Sequence, residues 1–119
     1  MKEHLFFYIG LCFILIHEMD AVRLKEWQIF PGLSLLKEET GYFVFTILHI
    51  PLYFLLFKGL QNIETSQRFI WCLDVFFAVH ILLHVLFLKH KKNPFKSLFS
   101  WSIIIAAGLF GLIDLFIGF

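Results

Sequence analysis

The stretch FIWCLDVFFAVHILLHVLFL, Phe69 to Leu88, lies between Arg68 and Lys89 and carries one carboxylate, two histidines and no lysine or arginine. About 20 helical residues cross a hydrocarbon core of roughly 30 Å, so the segment has the length and composition of one membrane span. Working outward, Leu98–Phe119 reads the same way, and two shorter runs, Leu5–Val22 and Tyr42–Phe57, complete a set of four. Backbone groups in lipid must bond within their own segment, and four strands could not close a barrel, which leaves helices. The first run leads into His17, Glu18 and Asp20 instead of a small-residue cleavage site, so it reads as a retained helix and not a signal peptide. Short second and third connections make neighbouring helices antiparallel. The expected fold is all-α: one domain, residues 1–119, forming a membrane-embedded four-helix up-and-down bundle.

Composition agrees. The 119 residues are 60% hydrophobic, 19% aromatic and only 16% charged, with a mean hydropathy of +0.83, against roughly 45–50% apolar in a soluble domain. So short a soluble chain would leave many of its 17 Phe facing water. The partner implied is the lipid bilayer. A formal net charge of +1 gives no general attraction to nucleic acid. Cys12 and Cys72 form neither a disulfide framework nor a CxxC motif.

Orientation follows from the basic residues on the short connections. Arg23, Lys25 and Lys37 on the first and Lys89, Lys91, Lys92 and Lys96 on the third face only Lys2, Lys58 and Arg68 on the opposite side. Both termini are expected outside the cytoplasm. The first helix is expected to run on past the membrane surface until Pro31 and Gly32 stop it. Trp27 reads as an interfacial anchor.

Ionisable side chains within a span cost about 2.5 to 3.5 kcal/mol and normally face a partner or a wet cavity. At about 1.5 Å of rise per residue, His84 and His80 lie roughly 6 and 12 Å inward from Leu88, and His49 lies about 10 Å from Tyr42 at the same face. His17 falls some 12 Å short of that surface. Four histidines from three helices therefore share one level. His80 and His84, four residues apart, share a helix face, as do His17 and Asp20, three apart. Glu18 points about 100° from His17 and suits a proton-transfer or second-layer role. Pro51 cannot donate to the Ile47 carbonyl, which opens the ladder beside His49. Asp74 and Asp114, each roughly 7 Å inside the outer face, could meet, although Asp114 sits close enough to its helix end to reach interfacial water.

Imidazole and carboxylate are ligands for zinc, copper and iron. The expected site is a metal centre of His17, Asp20, His49, His80 and His84, holding zinc or iron, with Glu18 as the catalytic proton-transfer group. A zinc-bound water would serve a metal-dependent lipid-modifying enzyme. Alternatives are haem b held by histidines of two helices, a proton relay, or a small accessory subunit. A homo-oligomer or a larger membrane complex is the corresponding assembly.

The run His17-Glu18-Met19-Asp20-Ala21, followed by Glu26-Trp27 and by His49-Ile50-Pro51-Leu52, resembles a family of small bacterial four-span integral membrane proteins of unknown function. The likeness extends over nearly the whole chain. It implies a four-helix fold in a bacterial inner membrane and brings no established reaction, ligand or partner.

Overall fold

The computed structural model describes residues 3–119, and the side chains of all of these except residues 63–65. Lys2, which entered the orientation count, lies outside the described residues. Four helices form: α1 (Leu5–Arg23), α2 (Glu38–Leu60), α3 (Ile63–Leu86) and α4 (Leu98–Ile117). All four are long and apolar enough to cross a membrane. No strand occurs among the described residues. The chain has the all-helical, four-span architecture its sequence predicts.

Cross-helix pairs give the directions. His4, just ahead of α1, bonds Asp114 near the end of α4, while Asp20 near the end of α1 bonds Ser100 near the start of α4, so α1 and α4 run antiparallel. His17 meets His80 and His84 as His4 meets Gln67, so α1 and α3 run parallel. The bundle is up-and-down. Helices α1 and α3 both pack closely on α4, whereas α2 stands aside and buries only Gly41 and Phe45.

Small residues on α4 permit the close packing. A Cβ at Gly111 would lie 3.0 Å from both the Asp74 carbonyl oxygen and the Phe77 Cβ. Where lipid gives helices no hydrophobic reason to associate, such backbone approach supplies van der Waals contact.

The core is layered along the bundle axis. At the terminal end, His4, Asp74 and Asp114 are buried together with the His4–Gln67 bond beside them. An apolar layer follows, built from Phe7, Ile14, Ile70, Phe77 and Ala107. Next comes the histidine level, and beyond it a second apolar cluster of Ala21, Trp27, Phe45, Phe95 and Ile104. Two expectations need correction. Asp114 does not reach interfacial water: it is fully buried, and its Oδ2 lies 2.6 Å from His4 Nδ1. Trp27 is not an interfacial anchor but a core residue, packed against Gly41, Tyr42 and Phe45.

The first connection also departs from expectation. Helix α1 ends at Arg23 instead of running to Pro31. Lys25 adopts the left-handed conformation, with φ 59° and ψ 50°, and a short 3₁₀ turn, Glu26–Ile29, follows. Left-handed backbone is rare for a residue with a side chain. Its consequence is reversal: Glu26 and Trp27 turn back into the bundle and are buried.

Candidate metal centre

His17 sits in the penultimate turn of α1, on the face that also carries Asp20 and Ala21 into the core. Asp20 fixes that face. Its Oδ1 accepts from the Arg23 guanidinium at 3.0 Å, and its Oδ2 accepts from the Ser100 hydroxyl at 2.5 Å. Ser100 is itself placed by the Ser97 cap of α4, whose Oγ accepts the Ser100 amide at 3.0 Å. A buried polar chain thus pins α1 to α4 one turn from His17. Asp20 is engaged with Arg23 and Ser100, away from the histidine level.

His80 and His84, on successive turns of α3, bring their Nε2 atoms to 3.2 Å from each other. The His17 ring meets both edge-on, with centroids 4.6 Å and 4.9 Å away. Glu26 completes the group from the reversed 3₁₀ turn, its Oε1 lying 4.0 Å from His17 Nε2 and 3.8 Å from His84 Nε2. One ligand atom from each of His17, Glu26, His80 and His84 falls within 4.8 Å of every other, and all four residues are buried. Donor atoms of a tetrahedral site with bonds of about 2.0–2.2 Å stand roughly 3.3–3.6 Å apart, so a small contraction closes the set on an ion.

Three nitrogens of this group lack a hydrogen-bond partner. Neither His17 nitrogen makes a hydrogen bond, and His80 Nδ1 also has none. Buried polar atoms are normally satisfied. Burial, reinforced by the nearby Glu18 carboxyl, pushes the Glu26 carboxyl up to about 8. A divalent cation would satisfy the nitrogens and hold Glu26 ionised.

The floor of the group is built by the third connection. Asn93 accepts the Phe95 amide at 3.1 Å, and the Phe95 carbonyl accepts from the Trp101 indole at 2.8 Å. The fully buried Phe95 ring is thereby held under His17 and His84, at centroid distances of 5.2 Å and 4.7 Å.

A model of a family of unknown function (DUF6713) matches residues 3–119. The chain belongs to the DUF6713 family. No curated protein and no solved structure matches it. The resemblance drawn from the sequence, to a family of unknown function spanning nearly the whole chain, is met at that level.

In this DUF6713 chain the expected residues divide. His17, His80 and His84 come together, while His49 lies beside them and pairs with Glu18, its Nε2 2.5 Å from Glu18 Oε2. The other His49 nitrogen lies 2.7 Å from the Phe45 carbonyl oxygen, which can only accept, so Nδ1 carries a proton. Glu18 and Nε2 can then approach only with a further proton between them. The pair is a proton-holding unit on the wall of the cavity that also exposes Glu26, His80 and His84. Glu26 is the residue sequence reasoning missed. Its signal was available in the Glu26-Trp27 pair, but its position depends on the turn at Lys25.

Proposed function

We propose that this DUF6713 protein is an integral membrane metalloprotein in which His17, His80, His84 and Glu26 hold one zinc or iron ion. The observation that carries the reading is the convergence of three imidazoles and a carboxylate from α1, the 3₁₀ turn and α3, in a buried place where the His17 nitrogens have no other partner. Direct ring contact among His17, His80 and His84 leaves no slot for a porphyrin plane, which favours a compact ion over haem.

The chemistry that fits is metal-dependent modification of a membrane lipid. A bound ion lowers the pKa of its water and polarises a carbonyl. With an ion held there, water would add to an ester or amide carbonyl carbon, the Glu18–His49 pair would give the proton it holds to the leaving alcohol or amine as that bond breaks, and the proton released by the water would restore the pair. Asp20 serves as the orienting group. The excess of Lys and Arg on the first and third connections supports termini outside the cytoplasm, and the family resemblance supports a bacterial inner membrane as the location.

Metal analysis of detergent-purified protein, with an absorption spectrum, tests the reading. Stoichiometric zinc or iron that is lost in His17→Ala and His84→Ala is the expected result. A Soret band, or metal content indifferent to these substitutions, would overturn it.

A further inference from the structure

We propose that the metal centre receives its substrate sideways from the bilayer, and that the substrate is the ester-linked acyl chain of an uncharged or zwitterionic glycerolipid. The proposal rests on the metal reading given above. A cavity of about 390 Å³ opens between α2 and α3, and Glu18, Glu26, His49, His80 and His84 are its polar wall. Everything else lining it is Leu, Ile or Phe. That is the form of a ligand site, largely apolar with a few converging polar groups.

Three observations set the direction of entry. Leu48 and Leu52 of α2 and Leu83 of α3, which line the cavity, are 54%, 54% and 41% exposed. They belong to helices long and apolar enough to span, so the mouth meets acyl chains and not water. Along the bundle axis the histidines are flanked by apolar groups, the Phe7–Phe77 layer on one side and Phe95 on the other. Finally, α2 packs sparsely on the rest of the bundle, which is what leaves the seam with α3 open.

Charge selects the end group. The wall carries two carboxylates and no Lys or Arg. A free fatty acid would bring a second carboxylate against Glu18, which has no Lys or Arg beside it on this wall, whereas an ester carbonyl is neutral and can coordinate the ion. The acyl chain then lies along Leu48, Leu52, Phe76 and Leu83.

Full-length protein, with its metal content measured on the same sample, would be placed in phosphatidylcholine vesicles whose acyl chain carries a diazirine close to the ester. Irradiation followed by peptide mass spectrometry should give adducts on Glu18, Glu26 or His49. Leu83→Trp and, independently, Leu48→Trp should reduce these several-fold, leave adducts on the outward Leu109 unchanged and retain the metal. Unlabelled phosphatidylcholine should compete, and free fatty acid should not. Metal-loaded protein labelled only on outward residues such as Leu109 would sink the lateral route while leaving the metal centre. Competition by fatty acid would overturn the choice of ester. Labelled polar residues in protein that binds no metal would refute the metal reading and leave a lipid site.

Discussion

The Nε2 atoms of His80 and His84 face each other at 3.2 Å, one turn apart on α3. One can donate its proton to the lone pair of the other, and a cation bound in place of that proton would take both lone pairs beside Glu26 and His17. The arrangement makes α3 the helix that aims ligands, with α1 and the 3₁₀ turn closing on it.

The ligand set and its neighbours should separate on substitution. His80→Ala or His84→Ala should abolish stoichiometric metal. Asp20→Asn removes the ionised partner of Arg23 and Ser100 and should weaken metal affinity by about 10–100-fold, the usual effect of losing an orienting partner. His49→Ala should leave metal content near the wild-type value, because His49 pairs with Glu18 and the Phe45 carbonyl instead of the cluster. Metal content by elemental analysis checks all three, and loss of metal in His49→Ala would place that residue among the ligands.

Glu26 sets a pH dependence whose sign can be worked out. Its folded carboxyl, raised from 4.5 to about 8 by burial and by Glu18, holds a proton that the unfolded chain releases near 4.5. Its contribution to metal-free stability is therefore fully present below 4.5, falls as pH rises through the window between these values, and is lost above about 8. Glu26→Gln, which cannot ionise, should flatten this decline in thermal unfolding of metal-free protein. Metal affinity should run the other way and rise over the same window, since the ligand must be a carboxylate. An unchanged pH profile in Glu26→Gln would show that Glu26 is not the group responsible.

How much of this was legible in the sequence depends on which physical constraint each residue obeys. The four spans follow from length and hydropathy, which require no tertiary information. His80 and His84 share a face by helical spacing, and His17 reaches their level by rise alone. Depth does not give azimuth, however, so His49 could be placed at the right height without revealing that α2 stands aside and turns the ring toward Glu18. Glu26 lies beyond the helix, and no glycine marks the left-handed residue before it. Asp114 was misjudged because its partner, His4, is 110 residues away in sequence.

That distant pair should carry stability and not metal chemistry. His4 and Asp114 are buried, 2.6 Å apart, and separated from the histidine level by the Phe7–Phe77 layer. Removing one partner of a buried hydrogen bond leaves the other unsatisfied and costs about 1–3 kcal/mol. His4→Ala should therefore lower the unfolding temperature substantially in detergent while metal stoichiometry, measured below that temperature, stays unchanged. Parallel loss of metal in the folded variant would show that the two polar layers are coupled.

The left-handed turn at Lys25 gives the final prediction, since it alone converts a loop carboxylate into a buried one. Its positive φ costs a non-glycine residue about 1–2 kcal/mol, which glycine avoids. The Lys25 side chain also pairs with Glu38, but both are well exposed, so that contact contributes little. Lys25→Gly should thus retain metal and leave stability equal or slightly higher. Lys25→Pro fixes φ near −65° and forbids the reversal. It should detach Glu26 from the cluster, leave three histidines and reduce metal affinity to the level of Glu26→Ala. The double variant Lys25→Pro with Glu26→Ala should then lose nothing further, and an additive loss in metal titration would show that the turn does more than deliver the carboxylate.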